Sequence, residues 1–237
     1  MINKLTKDIG EIKKQLEKLS TYPDNIFKQL ESLMNLFFSL SPTFPIPSTR
    51  GGAVSPDLLH KISETIFLKQ PHFILEASSG VSTLIIAYTL QKIGKGKVLS
   101  FEHDEIYAEK TREMLNLHCL SDFAEVVFAP LVKFSINGTQ WLWYDFKRAN
   151  FQQKQVDIFV IDGPPAGTQK LARYPALPLL YEYMSKNSLI ILDDYQRTDE
   201  REIVKKWLAE YPNFDKEVFP FEKGAVFLSR KASRLTY

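Results

Sequence analysis

Residues 72–104 constrain the fold more than any other stretch of the chain. Phe73, Ile74 and Leu75 form a short apolar run that ends on Glu76, and Ser78-Ser79-Gly80 supplies small residues for a turn. Val81 to Ile93 then reads as a mostly apolar helix, stopped by Gly94 to Lys97. Val98 to Phe101 is a second apolar run, ending on Glu102. Short runs that are apolar on both faces and separated by a helix predict parallel strands in a βαβ unit. Ligands of such units sit outside the carboxyl ends of the strands. Both predicted strands end on a carboxylate, and the second of these can accept both hydroxyl hydrogen bonds of a ribose diol. The pattern points to a ligand with a nucleoside part.

The rest of the chain fits around this unit. Its 237 residues suffice for one α/β domain with an appendage. A formal net charge of +2 is too small to imply a nucleic-acid partner. The single cysteine, Cys119, excludes an internal disulfide framework and suits a reducing cytoplasm. The N-terminus alternates charged and apolar residues, unlike a signal peptide, and no stretch is apolar enough to span a bilayer.

Ile2, Leu5, Ile9, Ile12, Leu16 and Leu19 make an a/d seam over residues 1–20, flanked by Lys and Glu. This predicts a short coiled coil that joins copies of the chain into a homo-oligomer, or a helix packed on its own domain. Pro23 breaks the seam. A second helix is expected near residues 24–40 with Ile26, Leu30, Leu33 and Phe37 on one face, and residues 1–47 are read as a helical extension of a domain covering 48–237. Thr49-Arg50-Gly51-Gly52 is a loop able to fold over the ligand. Ser55 and Pro56 mark the start of a helix to about Leu68.

After Glu102, Asp104 is expected to cap a helix through His118 with Ile106, Met114 and Leu117 inward. Phe123–Leu131 reads as a third strand, and Asn137-Gly138 as the turn of a hairpin within 132–144. Trp141, Trp143 and Tyr144 cluster there, either walling a pocket or packing in the core. Val156–Ile161 is a fourth strand ending at Asp162-Gly163-Pro164-Pro165, followed by a helix over Leu177–Met184. Leu189–Leu192 is a fifth strand ending at Asp193-Asp194. A helix from Thr198 to Glu210 and an antiparallel pair, Phe214–Phe221 with Ala225–Arg230, close the chain. Lys170, Arg173 and Tyr174, after the fourth strand, could face an anionic acceptor.

Glu76-Ala77-Ser78-Ser79-Gly80-Val81-Ser82 resembles motif I of class I S-adenosylmethionine-dependent methyltransferases, usually E/D-x-G-x-G-x-G. Gly80 stands at one glycine position, and Ser78 and Ser82 at the other two. Glu102 matches the acid that binds the cofactor ribose in that family. The resemblance implies a Rossmann-like class I methyltransferase fold. Its seven-stranded, mostly parallel sheet has an antiparallel terminal strand, here with an N-terminal helical extension added. It implies S-adenosylmethionine as cofactor, held by Glu76, Ser78, Gly80, Ser82, Thr83, Glu102, His103 and Asp162.

Asp162 with Asp193-Asp194 resembles the acids of metal-dependent O-methyltransferases of the catechol and caffeoyl-CoA type. There such residues hold a divalent cation, Mg²⁺ or another, that activates a substrate hydroxyl. Without a metal, Asp162 and Asp194 are the candidate general bases. This sequence departs from that type in the Gly-Pro-Pro after Asp162 and in having no recognisable cap loop. Asp162-Gly163-Pro164-Pro165 also differs from the Asp-Pro-Pro-Tyr loop of nucleic-acid amino-methyltransferases, since Gly163 intervenes and Ala166 replaces the aromatic.

Over residues 48–230 the chain is similar to bacterial small-molecule and sugar-modifying methyltransferases. The implied activity is O-methylation of a small-molecule or saccharide-like acceptor, with no nucleic acid involved. A non-catalytic oligomerising module with a degenerate nucleoside pocket is the alternative. A nicotinamide-dependent oxidoreductase fits less well, because the third glycine needed beside a pyrophosphate is missing.

Overall fold

The structure, a computed structural model, describes residues 23–151 and 155–231; the seam over residues 1–20 lies outside the described residues. Helix α1 occupies 23–40. The chain then runs α2 (Pro56–Lys69), β1 (Phe73–Ala77), α3 (Val81–Ile93), β2 (Lys97–Glu102), α4 (Glu105–Leu117) and β3 (Ala124–Phe128). A hairpin follows, β4 (Leu131–Ile136) and β5 (Thr139–Tyr144), and then β6 (Val156–Ile161), α5 (Ala176–Leu180), β7 (Met184–Asp193), α6 (Thr198–Glu210), β8 (Phe214–Phe219) and β9 (Ala225–Arg230).

Seven strands form one sheet in the order β3-β2-β1-β6-β7-β9-β8. The first five are mutually parallel, and β9 runs antiparallel to both β7 and β8. This is the expected mostly parallel sheet with one reversed terminal strand. β1 is central and buried at all five residues, which is why Phe73–Leu75 is a continuous apolar run rather than an alternating pattern. Successive side chains of each strand enter opposite cores. Ile74, Val98, Ile158, Val160 and Ile191 meet α2 and α3 on one face. Phe73, Leu75, Phe159, Ile161 and Leu192 meet Trp143, Tyr144, Phe151 and Trp207 on the other.

Several boundaries and faces differ from the sequence reading. The third strand stops at Phe128, and residues from Leu131 instead begin the hairpin, which pairs only with itself. Asn137 (φ 50°) and Gly138 (φ 77°) turn it with the two positive φ angles that an Asn-Gly turn provides. The expected helix over Leu177–Met184 is only Ala176–Leu180 plus a 3₁₀ turn, and the fifth strand starts at Met184. Its exposed Lys186 and Asn187 masked that beginning.

In α4 the buried residues are Ala108, Thr111 and Leu115, whereas Ile106 and Leu117 are exposed. Two small residues let α4 lie close to the sheet, so its inner face is not its most apolar one. In α1 the inward residues are Gln29, Ser32, Leu36 and Leu40, and Ile26, Leu30 and Phe37 face outward. Gln29 Oε1 accepts the Asp57 amide at 3.2 Å, satisfying an N-terminal donor of α2 that the Ser55 side chain does not reach. Leu36 and Leu40 join the same core as α2 and α3, so α1 packs as part of the domain.

Candidate active site

Parallel pairing brings the carboxyl ends of β2, β1, β6 and β7 to one rim. There a cleft of about 610 Å³ opens. Ser78, Ser79, Gly80 and Ser82 line it with Glu102, His103 and Asp162, so most residues expected to hold a cofactor are brought together. The loop over them has the backbone of a glycine-rich turn: Gly80 has φ 144° and Ser78 has φ 101°, in a region that favours glycine. The Ser78 amide donates to Phe101 O at 2.9 Å, which fastens the turn to β2.

Glu76 and Thr83 do not line this cleft. Both are fully buried beneath it, where Glu76 accepts hydrogen bonds from the hydroxyls of Thr83 and Ser100. Burial raises the Glu76 pKa against the lowering effect of those hydroxyls. The residue braces β1, β2 and the start of α3.

Glu102 is 4% exposed and already well engaged. Its Oε2 accepts the Ser79 amide at 3.1 Å and the Ser79 hydroxyl at 3.0 Å. Its Oε1 accepts the amides of His103 at 2.8 Å and Asp104 at 3.1 Å. His103 Nδ1 lies 2.9 Å from the same oxygen, close enough for an ion pair though off the line of a good hydrogen bond. Burial pushes the Glu102 pKa up, but His103 and the amide donors outweigh it and leave the carboxyl below its usual range. Glu102 in turn raises the His103 pKa.

The second group of acids also converges: one carboxylate oxygen each from Asp162, Asp193 and Asp194 lies within 4.8 Å of the others. Arg173 sits among them, only 2% exposed. Its NH2 donates to Asp162 Oδ1 at 3.1 Å, to Asp162 O at 2.9 Å and to Asp194 Oδ2 at 2.7 Å, and its NH1 donates to Asp193 O at 3.0 Å. Arg197 NH1 reaches the same Asp194 oxygen at 2.8 Å. Asp193 Oδ1 accepts the Asp194 amide, and its Oδ2 is buried with no hydrogen-bond partner among the described residues. A divalent cation at this set would lie beside the guanidinium that already holds one oxygen each of Asp162 and Asp194. Burial raises the Asp162 pKa to about 6 although Arg173 opposes it. Burial and the two neighbouring aspartates raise that of Asp193 to about 8. Arg173 therefore does not face an acceptor, and Tyr174 is buried with its hydroxyl on Glu210; of that trio only Lys170 is exposed.

A family model described as a methyltransferase domain matches residues 77–195, half of the chain. The chain belongs to this methyltransferase family. No curated protein matches the sequence. Among solved structures, the SAH-bound methyltransferase PaMTH1 of Podospora anserina matches with a TM-score of 0.59 at 16% identity, over 92% of this chain and 96% of that one. An O-methyltransferase from Bacillus cereus in complex with SAH gives 0.58 at 17% identity, covering 86% and 90%. A putative caffeoyl-CoA O-methyltransferase from Staphylococcus aureus gives 0.55 at 15%, covering 92% and 98%. The fold is that of the class I S-adenosylmethionine-dependent methyltransferases.

This methyltransferase builds its cleft from more than the motif residues. Tyr107 and Thr111, one turn apart on α4, line it, as do Pro165, Ala166 and Arg197. The capped N-terminus of α4, where Asp104 Oδ1 accepts the amides of Ile106 and Tyr107, is the sequence signal that aims Tyr107 at the rim. The Arg-Gly-Gly loop contributes Gly52, Ala53 and Val54 to the cleft. Arg50 itself pairs with Glu222, and Lys223 Nζ donates to Ala53 O at 2.7 Å, so the β8–β9 turn pins the loop in place. Tyr144 is fully buried in the core, as the packing reading of the aromatic cluster expected. Its hydroxyl, with no partner among the described residues, packs against Gly163 beside Ser78.

Proposed function

We propose that this methyltransferase transfers the methyl group of S-adenosylmethionine to a hydroxyl oxygen of a small-molecule or saccharide-like acceptor. The observation that carries the reading is a single cleft holding the Ser78–Ser82 turn, Glu102 and Asp162 together. The turn offers backbone and hydroxyl groups to the cofactor, and Glu102 is the acceptor for its ribose. When bound, S-adenosylmethionine supplies an electrophilic methyl carbon: the acceptor oxygen forms a C–O bond to it as the C–S bond breaks and leaves its electron pair on sulfur. Asp162 takes the hydroxyl proton, and a pKa near 6 suits a base that works near neutral pH. The acceptor would enter over Pro165, Ala166 and Arg197. Neither a basic tract nor an aromatic after the Asp162 loop offers a nucleic-acid base a place to bind.

The divalent cation that the catechol-type resemblance implies is not part of this proposal, because Arg173 holds two of its three carboxylates. We also propose that residues 1–20 together with α1 join copies of the chain into a homo-oligomer. Phe27, Leu30, Met34 and Phe38 are 71%, 51%, 49% and 78% exposed along α1, and the apolar seam of residues 1–20 precedes it in the sequence. Among the described residues no helix is long and apolar enough to cross a membrane.

The test is a panel of catechols, monohydric phenols, hydroxylated sugars and amines, scored for S-adenosylhomocysteine release. Turnover of hydroxyl acceptors that is lost in Asp162→Asn, with S-adenosylhomocysteine binding retained, supports the proposal. Turnover of amines alone overturns it, and cofactor binding without turnover of any acceptor would favour the non-catalytic module.

A further inference from the structure

We propose that Arg173 is the resident cation of the acid cluster, so that methyl transfer here needs no divalent metal. The inference rests on the hydroxyl-methylation reading above and deepens it. Three features of the geometry support it. First, one nitrogen, NH2, donates to carboxylate oxygens of both Asp162 and Asp194 and to the Asp162 carbonyl, so a single point of positive charge bridges the ends of β6 and β7. A bridging metal ion would perform the same task. Second, NH1 binds the Asp193 carbonyl, so both terminal nitrogens are held, while Nε makes no hydrogen bond among the described residues and lies 3.9 Å from Glu200 Oε1 in a nearly fully buried ion pair. A planar fork fixed this way is a positioning device, not a mobile counter-ion. Third, Arg197 adds a second guanidinium to Asp194 Oδ2. An entering divalent ion would meet the buried charge of Arg173 and the half-exposed charge of Arg197 as well as the acids.

The consequence falls on Asp162. Arg173 holds one of its oxygens and its carbonyl, which orients the carboxylate along the cleft wall without a Lewis acid. Arg173 is thus a positioning residue acting through Asp162, not a group that touches the acceptor. It also bears on the acceptor class. A metal selects substrates that offer it two adjacent oxygens, whereas a carboxylate base needs only one hydroxyl. Monohydric acceptors are therefore expected to react as readily as vicinal diols.

The experiment is Mn²⁺ binding to the full-length, cofactor-free protein, followed by electron paramagnetic resonance and calorimetry. The wild type is expected to show no saturable Mn²⁺ site into the millimolar range. Arg173→Ala, which frees the carboxylates of Asp162 and Asp194 beside that of Asp193, is expected to gain one site at least about tenfold tighter. Arg173→Met, closer in shape, gives the second variant, and thermal melts report whether each is folded. Saturable Mn²⁺ binding by the wild type that Asp193→Asn abolishes would overturn the inference, and so would folded variants that gain no site. Should neither variant fold, the wild-type titration alone decides. S-adenosylhomocysteine affinity, measured on the same samples with and without chelator, separates the two readings. Its absence indicts the cofactor cleft, while a chelator-sensitive wild type indicts the role of Arg173.

Discussion

Replacing Glu102 by Gln tests the cofactor cleft at its most committed group. Two donors lie on each carboxylate oxygen, from Ser79 on one side and from the amides of His103 and Asp104 on the other. Glutamine keeps one accepting oxygen and presents an NH₂ to the other pair, so about two charge-assisted bonds are lost. At the lower end of about 1.5 kcal/mol each, stability falls by about 3 kcal/mol, and the melting temperature by roughly 6–12 °C for a chain of this size. The effect on binding is smaller than a bare carboxylate would give. A carboxylate has about four lone-pair sites, and protein donors already use four, so a ribose hydroxyl must displace one such as the Ser79 hydroxyl. The net gain is then about 1.5 kcal/mol, or roughly a tenfold loss of S-adenosylhomocysteine affinity by calorimetry in Glu102→Gln. A variant that melts lower as expected, yet binds within about twofold of wild type, would make Glu102 purely structural and refute the ribose assignment.

Three further outcomes are expected. Ser78→Gly relieves a side chain at φ 101°, worth about 1–2 kcal/mol against about 0.5–1 kcal/mol of extra unfolded-state entropy. The melting temperature should therefore rise, by up to roughly 6 °C, without loss of cofactor affinity, and a lower one would contradict this backbone reading. The Asp162 carboxyl is active as a base only when deprotonated, so the methyl-transfer rate should fall about tenfold per pH unit as pH drops below about 6. A profile that stays flat from neutrality to about pH 5 would remove Asp162 from that role. Deleting residues 1–20 should lower the mass seen by light scattering while S-adenosylhomocysteine still binds, and full-length protein that is already monomeric would end the assembly proposal.

What the sequence showed and what it hid divide along a physical line. Strands buried on both faces have to be continuous apolar runs, so β1, β2 and β6 stand out, and the acids at their ends stand out against them. Asn137-Gly138 marked the hairpin because few other pairs accept two positive φ angles. Helix faces were harder to read. α4 presents Ala108 and Thr111 to the sheet and Ile106 to solvent, so apolar periodicity pointed the wrong way there, and in α1 it found the apolar face but not that Gln29 on the other side turns inward to cap α2. Within the site, Tyr107, Thr111 and Arg197 depend on how α4 and the start of α6 are rotated, which no local pattern records. Arg173 was legible as a charge but not as a buried one. Its partners arrive from β6, β7 and α6, and only the closed sheet places four acids around one guanidinium.

Calorimetric titration of the full-length protein with S-adenosylmethionine, S-adenosylhomocysteine and NAD tests most directly whether the cleft takes S-adenosylmethionine. Saturable binding of the first two at one per chain, with none for NAD, is the predicted result. Binding of NAD in preference to S-adenosylhomocysteine, or of none of the three, would contradict it.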